Sequence, residues 1–389
     1  SAQSQSLSLE EMTAKAEQIS PDFIALEERE LAEKVGLNTA FNIDKTEVFY
    51  NYFQNELAIN GRPVGIYGVR QGIDFPGVYF AQKKKNKLSL ASTQQLIEDR
   101  RISLKRKIAA AYYQWLYLSH YLDELKYIDS VYSDFSYAAQ RKFELGESNY
   151  LEKITAQSQQ KIIALELEKV NTELKNSLEA LKNAVKAQED FQPMLQPLPI
   201  LKTKTNEVVS TENPFKQSLV KQEQAAQQEW KVEQNKWFPG LNASFFWGSN
   251  STLNQSLEGY EFGLKIPLFY WGQQASVKKA KHQYALQQAM STSLSADYDR
   301  GYQQLRLELA QLQQQLQYFE SEGQQLSNAI LDTAQKSYKN GAIDFFQYIQ
   351  SLQNAWQIRR EHLSLINTYN QVVLKLNFFS SDLIPNYNK

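Results

Sequence analysis

The sequence predicts a mainly α-helical chain with two β-hairpins, built as one half used twice. Each half reads helix, β-hairpin, long helix, glycine tip, return helix. Three observations predict it. The first is an internal repeat 195 positions apart, in which residues 334–353 (AQKSYKNGAIDFFQYIQSLQ) restate residues 139–158 (AQRKFELGESNYLEKITAQS). Ala334 falls on Ala139, Gln335 on Gln140, Tyr338 on Phe143, Gly341 on Gly146, Phe345 on Tyr150 and Ile349 on Ile154. The second is a change of hydrophobic period from helical to two in each half, over segments of strand length. The third is a pair of very long proline-free stretches whose apolar residues keep a seven-residue beat.

Residues 7–19 are amphipathic, with Ser8 placed to cap a short helix. Ser20-Pro21 ends it, and proline suits the first position of the next helix, over residues 22–42. Asn213-Pro214 repeats this device before a helix reaching about Lys236. In the first half Val48, Tyr50 and Tyr52 alternate with Phe49, Asn51 and Phe53. After a turn at Gly61-Arg62-Pro63, Tyr67, Val69, Ile73 and Phe75 alternate with Gly68, Arg70, Gly72 and Asp74. In the second half Leu241, Ala243, Phe245 and Trp247 form one strand and residues 248–259 a polar loop. Tyr260, Phe262, Leu264 and Ile266 then alternate with Glu261, Gly263 and Lys265, and Pro267 closes the strand. The strands fall at about 46–57, 64–75, 239–248 and 259–267, with tips at about 145–149 and 340–344. The halves, 1–195 and 196–389, form one structural body.

Each strand has the length and alternation of a membrane-spanning barrel strand. Four strands cannot close a barrel, and open edges are not tolerated in lipid. Either the hairpins pack on the chain's own helices, as a soluble cap on a bundle, or several chains pool them.

Residues 77–144 and 271–339 are the long helices, each about 100 Å if straight. In the first, Leu104, Ile108, Ala111, Trp115, Leu118, Leu122 and Leu125 step by four and three. In the second, Tyr302, Leu305, Leu309, Leu312, Leu316, Phe319, Gly323, Leu326 and Ile330 do so, and internal glycines leave the pattern unbroken. Return helices cover 149–190 and 343–380, the first with Leu174, Leu178, Leu181 and Val185 on the beat. Residues 191–211, with three prolines, read as a connector between mutually dependent halves rather than a flexible linker. The tail 381–389 reads as poorly ordered.

Composition removes several functions. The chain carries 42 basic and 43 acidic residues, so no nucleic-acid footprint is visible. It has no cysteine, which removes disulfides, thiol chemistry and Cys-based zinc sites. His120, His282 and His362 are the only histidines, at no metal-binding spacing. No catalytic constellation, metal set or cofactor motif stands out, and no apolar run is long enough for a transmembrane helix. The start, Ser1-Ala2-Gln3, reads as a mature N-terminus after signal removal or as the start of a trimmed chain. The pairs Glu10–Glu11 and Glu27–Glu28 are solvated helix faces. Lys83-Lys84-Lys85 and Lys278-Lys279 with Lys281 follow the strands at matching places. They are either solvated helix starts or a basic collar near lipid head groups.

The most specific residues are Ala334…Tyr338-Lys-Asn-Gly341…Phe345…Ile349 with its first-half echo, Asn213-Pro214, Trp237-Phe-Pro239-Gly-Leu241 and Ile266-Pro-Leu-Phe269…Gly272. With them the chain resembles the TolC-like family of outer-membrane efflux proteins over nearly its whole length. Phe75-Pro-Gly-Val-Tyr-Phe-Ala-Gln82 and Ala110-Ala-Tyr-Tyr-Gln-Trp115 are most similar to the heavy-metal (CusC/CzcC-like) branch found in Bacteroidota. The resemblance implies a homotrimer in the bacterial outer membrane. Each chain gives four strands to a twelve-stranded barrel and a share of a coiled α-barrel extending into the periplasm. It implies a passive exit duct for heavy-metal cations or drugs, not an enzyme. A periplasmic adaptor and an inner-membrane pump of the resistance-nodulation-division type would dock at the tips. A type I protein-secretion duct and a soluble coiled-coil scaffold are the alternatives.

The resemblance also assigns site residues. The gate is carried by Tyr338, Gly341, Ile343, Asp344, Gln347 and Gln350 at the second tip, with Gly146 and Glu152 at the first. Tyr260, Phe262, Leu264 and Ile266 face lipid, while Glu261 and Lys265 face the lumen. Three departures stand out. Gln347 and Gln350 occupy the places of two aspartates. Ile343 replaces the arginine of a tyrosine–arginine–aspartate lock whose other members match Tyr338 and Glu152. No N-terminal cysteine is available for lipidation.

Overall fold

The computed structural model of the chain describes residues 5–57, 63–187, 190–203, 213–249, 257–266 and 270–379. The turn at Gly61-Arg62, the body of the loop at 250–256, Pro267 to Phe269, residues 204–211 of the connector, the first three residues and the tail 381–389 lie outside them.

Helices α1 (Leu9–Ile19) and α2 (Pro21–Gly36) follow a short strand β1 (Gln5–Leu7). A capping box starts α1: Glu11 N donates to Ser8 Oγ at 3.3 Å and Ser8 N to Glu11 Oε2 at 2.8 Å. Strands β2 (Glu47–Leu57) and β3 (Pro63–Ile73) precede α3 (Pro76–Glu144) and α4 (Tyr150–Val185). After β4 (Phe191–Pro193) the order repeats: α5 (Pro214–Asn235), β5 (Gly240–Ser249), β6 (Leu257–Lys265), α6 (Tyr270–Tyr318), α7 (Gln324–Lys339) and α8 (Phe345–Phe379). The chain divides into two compact units, each drawing on both halves of the sequence. One comprises Ala25–Glu98 and Pro214–Asp297; the other comprises Ser1–Ile24, Asp99–Asn213 and Tyr298–Lys389.

The first of these units holds the sheet. Its four strands are antiparallel in the order β2-β3-β5-β6, so each hairpin contributes one edge strand and one inner strand. Register places Tyr50, Tyr67 and Trp247 in one row on one face, and Phe245 beside Tyr260. The rings touch across the strands: Tyr50–Tyr67 at 4.6 Å, Tyr67–Trp247 at 6.3 Å and Phe245–Tyr260 at 5.2 Å. The opposite face carries a polar row, Glu47, Arg70, Ser244 and Glu261, again in register. Arg70 pairs with Glu47 at 3.2 Å, and Ser244 donates to Glu261 at 3.2 Å. Phe49 and Phe246 also lie on this face, each flat against the glycine opposite it, Gly68 and Gly259. With Phe53, these rings interrupt a face that alternation alone reads as polar or small.

The second unit is a helical layer. In α3 the expected seam is buried at Ile108, Trp115, Leu118, Leu122 and Leu125 and partly buried at Leu104 and Ala111, and Ala109, Tyr112, Tyr113 and Leu116 beside it are buried too. This helix is covered on two sides, by α4 and by α8. Tyr121 Oη donates to Glu166 at 2.6 Å on one side, and Gln371 donates to the Ala110 carbonyl at 3.0 Å on the other. The β1–β4 pair is parallel and packs Leu7 and Phe191 into the same core.

The second long helix departs from its expected unbroken pattern. A π-helical turn, Phe319–Gly323, separates α6 from α7. The side-chain-free Gly323 leaves room for the Phe319 ring. A π turn adds a residue to the helical cycle, so the buried seam moves on by one position. Leu326, expected in the seam, is exposed, and Ser327 is fully buried in its place. The Ser327 hydroxyl donates to the Ala355 carbonyl at 3.0 Å, which satisfies it inside the core.

The connector is an ordered strap over its described part. Tyr112 donates to the Met194 carbonyl at 2.8 Å, and His120 Nε2 lies 2.7 Å from the Gln196 carbonyl. Asn370, fully buried, clamps the strap from α8. Its Oδ1 accepts from Leu201 N at 2.9 Å and its Nδ2 donates to the Pro199 carbonyl at 2.7 Å. Asn370→Ala strands both backbone groups, at about 1–3 kcal/mol each. The variant should unfold at lower temperature, with the strap at 194–203 becoming the first site of limited proteolysis.

Candidate functional site

The two glycine tips share one backbone geometry. At the first, Gly146 has φ 76°, Glu147 N donates to the Lys142 carbonyl at 2.8 Å and Gly146 N to the Phe143 carbonyl at 3.0 Å. At the second, Gly341 has φ 68°, Ala342 N donates to the Ser337 carbonyl at 2.8 Å and Gly341 N to the Tyr338 carbonyl at 3.1 Å. Both are Schellman ends with glycine in the left-handed position. No atom lies near enough to obstruct a side chain at either glycine, so backbone angle alone demands the residue.

The next helix starts with a side-chain cap at both tips. Asn149 Oδ1 accepts from Glu152 N at 2.9 Å, and Asn149 Nδ2 donates to Glu152 Oε1 at 3.2 Å. Asp344 Oδ1 accepts from Gln347 N at 2.8 Å, and Gln347 Oε1 accepts from Asp344 N at 3.1 Å. Gln347 thus completes a capping box within its own chain. Asp344-x-x-Gln347 has the spacing of a capping box, so Gln347 has a local structural role beside the gate role expected of it. Gln350 donates to Asn354 one turn further on, at 3.1 Å.

Side chains distinguish the tips. At the second, Phe135 gathers Phe345 at 5.0 Å, Tyr348 at 5.2 Å and Tyr338 at 5.9 Å, and Tyr338 stacks on Tyr348 at 4.6 Å. Lys142 from the first tip lies 5.0 Å over the Tyr338 ring. Burial raises the Tyr348 hydroxyl above its ordinary pKa, with Tyr338 adding to the shift. In the repeat, position 348 corresponds to Lys153. There the ammonium lies 4.9 Å over the Phe143 ring. A cation over a ring thus replaces a ring on a ring at equivalent places. Phe345 is 4% exposed, whereas its counterpart Tyr150 is 59% exposed. Ile343 is partly buried against this cluster, and Ile349 is buried where Ile154 is exposed. Glu152 is engaged by Asn149 rather than by Tyr338 within the chain, so the tyrosine and acid of the expected lock are not joined here.

On the sheet, Tyr260, Phe262, Leu264 and Ile266 project from one face and are exposed, Phe262 at 83%. Ile266 stands one residue beyond the end of β6. Lys265, on the other face, pairs with Asp44 at 2.6 Å. Among the described residues no helix is long and apolar enough to cross a membrane, and no group of three His, Asp or Glu side chains could hold a metal.

Gly341→Ala forces a Cβ into the left-handed region, at about 1–2 kcal/mol. Thermal unfolding in detergent should show that loss, with Gly341→Asn recovering part of it. An Ala variant as stable as the original would mean the tip does not hold this conformation.

Residues 212–377 match the family model described as outer membrane efflux protein. No curated protein is similar enough in sequence to match. Among solved structures, the chain is similar to CusC, at TM-score 0.78 and 14% identity over 96% of this chain and 91% of that one. It is similar to VceC from Vibrio cholerae at TM-score 0.76 and 14% identity, over 96% of each chain. The outer-membrane channel CmeC from Campylobacter jejuni follows, at TM-score 0.77 and 14% identity over 98% of this chain and 87% of that one. Residues 212–377 carry the pattern of the outer membrane efflux protein model, and nearly the whole chain carries the fold of these outer-membrane channels.

Proposed function

We propose that the chain is one third of a homotrimeric exit duct in a tripartite efflux system. It takes its substrate from a periplasmic adaptor and an inner-membrane pump of the resistance-nodulation-division type. The observation that carries this reading is the sheet. Its apolar face is exposed, and its edge strands β2 and β6 are unpaired. In hydrocarbon those edges need partners. Three copies arranged head to tail join β6 of one to β2 of the next and leave no edge, giving twelve strands. The helical layer supports the same arrangement. Ile154, Ile162 and Leu165 on α4 are exposed, as are Leu307 on α6 and Leu326 on α7. These apolar rows suit heterologous packing between copies.

The exposed row of β6 faces lipid and Glu261 and Lys265 face the lumen. A charge on the lipid face costs about 2–4 kcal/mol at the bilayer midplane, while an exposed ion pair is worth about 0–1 kcal/mol. Phe262→Arg should therefore depress the yield of trimer in membranes and Lys265→Gln should leave it near normal. Equal yields would remove the assignment.

The tips form the gate and the adaptor contact, with Tyr338, Ile343, Asp344, Gln350 and Gly341 on one side and Gly146 and Glu152 on the other. Three copies bring three sets together on one axis. Neutral Gln347 and Gln350 at the aspartate positions give a weakly charged constriction. In planar bilayers, Gln350→Asp and Gln347→Asp should raise cation selectivity and block by divalent cations. Unchanged selectivity in both variants would take these residues out of the constriction.

A further inference from the structure

The two long helices each begin with an acid-free, lysine-bearing stretch. From 76 to 97 in α3 there is no acidic residue but Lys83, Lys84, Lys85 and Lys87. From 270 to 296 in α6 there is again none, with Lys278, Lys279 and Lys281. Both acid-free stretches carry three or four lysines and both immediately follow a membrane-type strand.

Helical spacing sorts these lysines. Phe80, Lys83, Lys84 and Lys87 lie at i, i+3, i+4 and i+7, on one stripe of α3. Trp271, Lys278 and Lys281 line α6 in the same sense. Phe80 and Trp271 are each 65% exposed and stand at the end nearer the strands. Local partners take two lysines out of the solvated set. Lys85 pairs with Glu229 at 2.5 Å, and Lys83 lies 5.2 Å over the Phe41 ring. Among the described residues no carboxylate engages Lys84, Lys87, Lys278, Lys279 or Lys281.

We propose that these lysines form a binding surface for anionic phospholipid headgroups in the leaflet on the helical side of the sheet. This rests on the reading of the sheet as membrane-embedded. The dimensions agree. A headgroup layer is about 5–7 Å thick, half the difference between the full bilayer and its hydrocarbon core. From Phe80 to Lys84 a helix rises about 6 Å. An exposed ring at the hydrocarbon boundary, followed about one to three turns later by ammonium groups on long stems, fits an acyl chain topped by a phosphate. Long lysine stems reach along the apolar boundary while their charges stay in the phosphate layer. The occupant is the lipid rather than free phosphate, because the lysines are exposed on a stripe headed by the exposed rings of Phe80 and Trp271, which an acyl chain would cover.

The test uses the full chain in detergent and in vesicles. Phosphatidylglycerol should raise the thermal unfolding midpoint more than phosphatidylethanolamine, and inorganic phosphate at equal charge should leave it unmoved. The combined variant Lys84→Gln, Lys87→Gln, Lys278→Gln, Lys281→Gln should lose most of the phosphatidylglycerol response, and arginine at the same positions should keep it. A glutamine variant that responds like the original, or an equal response to free phosphate, overturns the proposal. If the glutamine variant starts less stable, the comparison moves to co-purified lipid. The arginine variant should then retain phosphatidylglycerol as the original does, and no excess over phosphatidylethanolamine in either overturns the proposal. Failure of the membrane reading looks different: the original chain would then not float with vesicles of any composition.

Discussion

A backbone N–H or C=O has nothing to bond with in hydrocarbon except another strand, and the four-stranded sheet leaves two rows of such groups open along β2 and β6. Much of the rest follows from that constraint. A chain with an exposed apolar sheet face and two open edges is incomplete in lipid. The helical unit likewise exposes apolar side chains on α4, α6 and α7. Inside the sheet, contacts fix the register: the Tyr50–Tyr67–Trp247 row on one face and the Glu47–Arg70–Ser244–Glu261 row on the other. A slip of one residue would exchange the faces and put those charges on the apolar side.

Duplication explains both the likeness of the tips and their divergence. Backbone requirements survive in both copies, since only a residue that tolerates positive φ can close a helix this way and only a short polar side chain can cap the next. Side-chain packing is free to differ. The second tip buries its aromatics around Phe135, and the first exposes Tyr150 and sets Lys153 over Phe143. A buried aromatic cluster resists rearrangement more than an exposed cation–π pair, which is worth about 0.5–1 kcal/mol. The first tip is therefore the more adaptable of the two.

The π turn at Phe319–Gly323 and the strap clamped by Asn370 belong to the same helical unit and answer the same problem. A long regular seam must be fitted to partners of fixed length. The π turn shifts phase so that a small hydroxyl, Ser327, meets the Ala355 carbonyl. The strap brings backbone polar groups into a buried setting, and Asn370 satisfies one donor and one acceptor at once. Either feature would be costly without its partner, because an unpaired buried polar group costs more than a formed hydrogen bond gains.

The sequence by itself determined what depends on local chemistry. Period two against period seven separated strands from helices, Gly146 and Gly341 marked the tips, and Ser20-Pro21 and Asn213-Pro214 marked helix starts. The alternation in β6 identified the exposed row, because a strand's side chains must point to opposite faces. Tertiary structure decided what depends on which surfaces meet. Covering on two sides makes α3 bury residues beside the seam its heptads suggested, Tyr112, Tyr113 and Leu116 among them. The π turn takes Leu326 out of the seam, since a heptad count cannot register one inserted residue. Phe49 lies on the polar face because Gly68 opposite makes room for its ring. Phe345 is buried and Tyr150 exposed at equivalent positions, because only the second has Phe135 to pack against. In each case the local pattern is the same and the neighbour is different, and neighbours distant in sequence are set by packing alone.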